Sequence, residues 1–278
     1  MIIAAVRAEL FKVVRRPAMW VTIGLMFAIA VGLEYVLVYV VASHPPPAAQ
    51  RVGATLVAAR AGLYPDVVIR KSLANVAGLD GIFALILGVL VQGSEFAWGT
   101  VKTSLVQLPG RLSVVFGQLV AIAVLTLLMA VGVFALDALA ASGVALLDSH
   151  AVAWPSAGDL VKGVAAAWLI LYVLAVLGFA LATLARQSAM AIGLGLAYVL
   201  VIENLVFGLL DNLGDTFKQI QEWFPIANAG YLQGSFGRLN EAVAPPPVDA
   251  THAVAILLLW LAIFIAVAGA LMRQRDIT

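Results

Sequence analysis

Three groups of residues in this chain have types and spacings that could do chemistry. Four carboxylates, Glu34, Asp80, Asp137 and Glu203, interrupt long apolar runs. A carboxylate inside hydrocarbon is costly and has to face protein or water. Glu34 and Glu203 therefore read as candidates for a substrate pathway, an acidic vestibule suited to a cationic or amphipathic molecule. The competing reading, internal pairing with Arg70, Lys71 or Lys162 or snorkelling outward, is the favoured one for all four acids, and above all for Asp80 and Asp137. A second group, Glu9, Lys12, Arg15 and Arg16, lies on an amphipathic N-terminal stretch. A third is the polar segment SEFAWGTVKTSLVQLPGR, residues 94–111, between two apolar runs.

Other chemistries are excluded by the sequence. There is no cysteine, so thiolate nucleophiles, disulfides and Cys-ligated metals are ruled out. His44, His150 and His252 are scattered without metal-ligand spacing. The G-x-S-x-G, H-E-x-x-H and G-x-x-x-x-G-K-[ST] signatures are absent. Gly193 and Gly195 fall within an apolar run, not in a nucleotide-binding turn. With 16 Lys+Arg against 15 Asp+Glu, nothing calls for nucleic acid.

The elements that must position these groups follow from composition. Of 278 residues, 63% are hydrophobic and 11% charged, and mean hydropathy is +1.06. Soluble domains carry about 45–50% apolar and about 25% charged residues. Both a soluble globular domain and a disordered chain are excluded. The apolar runs are long enough for bilayer-spanning helices and lack the short alternation of a barrel. The expected fold is an all-α membrane protein with six transmembrane helices, forming one transmembrane domain over residues 1–278. The spans are expected at about 18–42, 74–94, 112–141, 162–185, 189–210 and 252–272. Arg186-Gln187-Ser188 leaves room only for a tight helical hairpin. The first apolar run exceeds a signal-peptide core and reads as a retained span.

Basic residues orient the spans. Arg7, Lys12, Arg15, Arg16, Lys102, Arg111, Arg186, Arg273 and Arg275 crowd the side that holds both termini. That bias places both termini in the cytoplasm of a cell membrane, as in a bacterial plasma membrane. The opposite side carries the long connections, 43–73 and 211–251, with proline runs at 45–47 and 245–247. Within the second, DTFKQIQEWF is a short amphipathic stretch suited to the membrane interface.

At 100° per residue, Ile2, Ile3, Val6, Leu10, Val13 and Val14 share one sector of a helix over about 2–16, with Glu9, Lys12 and Arg16 opposite. This predicts a basic amphipathic helix lying in the lipid surface, broken by Pro17 before the first span. In the loop between spans two and three, Gly99-Thr100 can start a helix and Pro109-Gly110 can end it. Such a short helix is a handle through which a partner could move both spans. Gly24, Ala28 and Gly32, and Ala189, Gly193 and Ala197, recur at four-residue spacing and allow close helix approach, between subunits or within one.

On these residues the sequence resembles the permease subunits of ABC-2 type ATP-binding-cassette transporters. AELFKVVRRPAMW is similar to that family's start, and Glu95, Gly99, Thr100, Lys102, Leu105, Pro109 and Arg111 match its inner-loop pattern. Pro225 in EWFPIANAGYL matches a further feature. Gln118 departs from the family, where Lys is common. The resemblance implies a transmembrane subunit, with export as the direction and the pathway formed by two such subunits, as homodimer or heterodimer, in membrane lipid. Separate cytoplasmic ATPases would hold the ATP and Mg, this chain carrying no cofactor. They would engage the coupling residues 95–111 and the N-terminal helix with Glu9, Lys12, Arg15 and Arg16. Two other readings stay open: an ion-gradient-driven secondary transporter using the intramembrane acids, and an integral membrane enzyme acting on lipid.

Overall fold

A computed structural model describes residues 2–44, 53–97, 111–206, 219–239 and 245–274. Helices, and no strands, make up their regular structure. Helix α1 spans Ile2–Arg15. Arg16 takes an extended conformation and Pro17 opens α2, Pro17–Ser43, because proline fits the first helical position, where its missing N–H costs nothing. Helix α3 is Gly53–Ala61. Helix α4, Pro65–Phe96, passes through a single 3-10 turn and a π-helical stretch before its long α-helical part. Helix α5 covers Arg111–Leu147 and α6 Ala157–Ala185. Helix α7 starts at Ser188 and continues as a π-helix over Ala197–Val206. Helix α8 is Pro225–Gly234 and α9 Ala250–Gln274.

Five of these, α2, α4, α5, α6 and α9, are long and apolar enough to cross a bilayer. The chain is thus a multi-pass helical membrane protein. The run expected as a span at 189–210 is described only as the shorter apolar helix Ser188–Glu203, and residues 207–218 lie outside the described ones. Two spans begin earlier than composition suggested. Helix α4 starts at Pro65, and α6 starts at Ala157 because Ser156 accepts the Asp159 N–H at 3.1 Å and donates to its carboxylate at 2.8 Å. Helix α6 ends at Arg186, in the left-handed conformation with φ 55°, which produces the expected hairpin into α7.

Helices α4 and α6 form the centre. Of their apolar windows 61% and 67% are buried, against 22% for α2 and for α9, whose outer faces are left to lipid. Packing of α4 on α6 depends on glycine. A Cβ on Gly88 would land in the Ala175 backbone, and one on Gly178 in the Leu85 carbonyl. The contact is therefore backbone to backbone, which maximises dispersion where no hydrophobic drive exists between lipid and helix. The small residues singled out from spacing do something else: Gly24, Gly32 and Gly193 face open space.

Helix α1 is not oriented as its apolar sector suggests. It packs along α5, with Ala5 and Glu9 against Gly117. The buried stripe is Ala5, Glu9 and Val13, while Ile3 and Val14 are exposed at 84% and 54%. The expectation that Glu9 faces away from the packed side is thereby corrected. The buried stripe is rotated about 80° from the centre of the apolar sector, at 100° per residue. The physical reason is a division of labour around the helix. Small Ala5 allows close approach to α5, buried Glu9 is paired with Lys12 of its own helix, and the bulkier apolar residues Ile3, Phe11 and Val14 remain outside, where lipid can take them.

Candidate functional site

At the Arg16 end of the bundle, α1, the α1–α2 junction and the last turn of α4 meet in a charged node. Lys12 Nζ donates to Glu9 Oε1 at 2.7 Å and lies 3.6 Å from Glu95 Oε2. The Arg16 guanidinium pairs with Glu95 Oε1. It also donates to Ser94 Oγ at 2.6 Å and to the Val91 carbonyl at 3.4 Å. Local structure places these groups. Glu9 and Lys12 are three apart on α1, so they project on the same side of the helix. The extended Arg16 turns its side chain toward the end of α4. Glu9 and Glu95 are each 2% exposed. Burial pushes the Glu9 carboxyl above its ordinary value, with the Lys12 hydrogen bond opposing.

Of the residues assigned to the N-terminal group, the node gathers Glu9, Lys12 and Arg16. Arg15 stands apart, with its guanidinium 5.2 Å from the Phe11 ring centre. Of the loop group, Glu95 is in the node. Gly99, Thr100, Lys102, Leu105 and Pro109 lie outside the described residues, as does the expected helix over 99–108. Arg111 contributes the first residue of α5. Ser94 was legible only as Glu95's neighbour in a helix, one position before the acid, and it accepts from the same Arg16 guanidinium.

The four intramembrane acids divide. Glu34, Asp80 and Asp137 share one buried region with Lys71. Lys71 Nζ is 3.6 Å from Glu34 Oε2 and 5.5 Å from the Tyr35 ring centre. Pairing with Lys71 was the alternative reading of these acids, and for Glu34 the geometry has that form. Asp137 is 1% exposed. Ten residues separate it from the end of α5, a depth of about 15 Å.

Glu203 stands elsewhere. Its Oε2 accepts the N–H groups of Ile226 at 2.8 Å and Ala227 at 3.2 Å. These are free donors of the first turn of α8, so the carboxylate caps that helix and meets the positive end of its dipole. Pro225 is the first residue of α8. Nearby, Asn228, fully buried, donates to the Glu222 and Phe224 carbonyls at 2.8 Å. Helix α8 itself was missed from sequence, because its ten residues lack the length of a span.

At the Asp148 end, Asp148 accepts from Arg60 Nε at 2.9 Å, Tyr64 OH at 2.9 Å and Tyr39 OH at 3.3 Å. The Arg60 partnership holds its carboxyl down to about 2. Tyr64 also stacks on His150 with ring centres 3.9 Å apart. This clamp ties α2, α3 and the end of α5 together. Among the described residues no group of His, Asp or Glu could hold a metal ion.

Residues 70–278 match a family model described as protein of unknown function (DUF2705). The chain belongs to that family. Among curated proteins, none matches it. The DUF2705 segment begins inside α4 and carries Lys71, Asp80, Glu95, Asp137 and Glu203. Glu34, the partner of Lys71, and Lys12 and Arg16, the partners of Glu95, come from the residues before it, so both charged regions join the family segment to the N-terminal one.

Proposed function

We propose that this chain is the membrane-spanning permease subunit of an ATP-driven transporter, with export as the direction, both termini cytoplasmic and α7 completing a sixth span. The observation that supports it is the node. Two salt-bridged cations of α1 and its junction hold the carboxylate of Glu95, which closes α4 three residues before the segment 98–110. A force on that segment, delivered by a separate nucleotide-hydrolysing subunit, would reach α4 directly and α1 and α2 through Arg16 and Lys12. ATP and Mg would reside on the partner, and the pathway would form with a second permease subunit. The open faces at Gly24, Gly32 and Gly193 are available for that second copy.

The test is isolation of the native complex from membranes. Recovery of an ATPase with the chain, and loss of transport-coupled hydrolysis when Gly99 and Thr100 are both replaced by Pro while the protein still inserts, is the expected outcome. ATP hydrolysis by the purified chain alone, or location of residues 98–110 on the extracytoplasmic face, overturns the reading. An ion-gradient-driven transporter is the second reading, favoured by the buried acids beside Lys71. Transport that follows an imposed ion gradient with no ATPase present would select it. A lipid-modifying enzyme has no comparable support in the geometry.

A further inference from the structure

Three carboxylates and one ammonium meet inside the bundle. Asp80 and Asp137 are 2% and 1% exposed, and neither enters a salt bridge among the described residues. The charge of Glu34 acts on both. Fully ionised, the group would hold two more negative charges than positive ones, about 15 Å below the helix ends. An uncompensated buried charge is strongly unfavourable.

Neutral groups in the same place are also left incomplete. The Tyr35 hydroxyl and Ser72 hydroxyl are buried, on side chains 2% exposed, and have no hydrogen-bond partner. Tyr35 lies within electrostatic reach of Asp137 and Glu34, and the Ser72 hydroxyl faces the Asp137 carboxylate. Both Asp137 oxygens and Glu34 Oε1 are unpartnered too. These are five oxygen atoms in one region, three of them acceptors without a donor. Each hydroxyl can donate its one hydrogen to a facing carboxylate oxygen, and added protons would complete the carboxylate oxygens that remain. A metal ion fits less well, since the acids do not converge to coordination distance.

The backbone is unusual here as well. Glu34 and Tyr35 sit on the π-helical stretch Ala30–Leu37, and Asp80 on another, Val76–Asp80. A π-turn shifts the following side chains off the ordinary helical face, and such turns concentrate at functional sites. The first stretch packs on α5, the helix of Asp137, and the charges of Glu34 and Asp137 both reach Asp80 on the second.

We propose that Asp80 and Asp137 form a proton-binding site within the membrane, with Glu34 retained as the counter-ion of Lys71. Each proton arrives from the aqueous phase at the Asp148 end and forms one O–H bond on a carboxylate oxygen, and no other bond breaks. The Glu34–Lys71 pair, with 11% of each side chain exposed, is the least buried part of the group and the candidate entry. No other described charge competes. From α4, Arg70 points to the Arg238 carbonyl at 3.4 Å. From α6, Asp159 and Lys162 pair with each other in the open. From α8, the nearest polar groups, Asn228 and Tyr231, are neutral. Above the site, Arg60 and Asp148 are joined. The site goes beyond the proposed transport role and does not depend on an ATPase.

The test uses the full-length protein in lipid vesicles. Infrared spectra should show the carbonyl band of a protonated carboxylic acid at neutral pH. The band should decline as the medium is made alkaline, and should shrink in Asp80→Asn and Asp137→Asn. Dicyclohexylcarbodiimide, an apolar reagent that adds to protonated carboxyls, should modify Asp80 or Asp137 of the native chain. Its yield should fall by up to about tenfold per pH unit once the site deprotonates. Absence of the band in the native protein at neutral pH overturns the proposal, whatever the labelling gives. So does a band that persists unchanged in the double Asn variant, or labelling confined to Glu203. Because the native titration needs no variant, a substitution that fails to fold leaves the test decisive.

Discussion

Replacing Glu95 by Gln keeps the shape of the side chain and removes the charge that holds α1 and its junction to α4. Arg16, 11% exposed, then keeps Ser94 and the Val91 carbonyl as acceptors but loses the carboxylate it is salt-bridged to. Breaking a buried ion pair costs about 3–5 kcal/mol. Lys12, 31% exposed, can turn to Glu9 and water, so part of that cost is relieved. The expected loss is about 2–3 kcal/mol, or about 30- to 150-fold in the equilibrium between docked and released α1. Native-state hydrogen exchange of the amides from Ala5 to Val13 measures this opening directly. Exchange should accelerate by that factor in Glu95→Gln and similarly in Arg16→Gln. The double variant should be less destabilised than the sum by at least about 1 kcal/mol, since each single change strands the partner of the other. Additivity within about 0.5 kcal/mol, or unchanged exchange in α1, would refute the claim that the node holds the helix.

Three further outcomes follow from the same geometry. Glu9 has a folded-state pKa raised above the ordinary 4.5 by burial, so the stability it contributes is complete below that value and is lost as pH rises through the raised one; docking of α1 should weaken over that interval, and Glu9→Gln should flatten the dependence in a pH series of hydrogen exchange. Glu203→Ala should expose the Ile226 and Ala227 amides and cost about 1–2 kcal/mol in local stability of α8, with Glu203→Gln costing clearly less because an acceptor oxygen remains; equal effects in the two variants would remove the capping role. Gly88→Val should force α4 from α6 and lower stability by about 3 kcal/mol or more, whereas Gly24→Val, with open space around it, should stay within about 0.5 kcal/mol in thermal unfolding of the detergent-solubilised protein.

The amino-acid sequence by itself determined the solvent in which this chain folds, and hence its class. Apolar runs of bilayer length can satisfy their backbone groups in lipid only as helices, so composition alone was enough to place α2, α4, α5, α6 and α9. The turn at Arg186–Ser188 was legible for the same reason: two runs separated by three residues leave no other connection. Tertiary structure decided which residues on those helices meet. Spacing pointed to Gly24, Gly32 and Gly193 as contact residues, yet the close approach uses Gly88 and Gly178, because every helix face in lipid is apolar and periodicity carries no signal of which one turns inward. Glu9 was assigned to the outward side of an amphipathic helix, yet it is buried, because a base on the same helix and an acid from α4, distant in sequence, complete a node there. Glu34, Asp80 and Asp137 were each visible as costly charges. Their meeting beside Lys71, and the separate task of Glu203 at the start of α8, depended on π-turns and long-range packing, which redirect side chains in ways that a fixed 3.6-residue period does not encode.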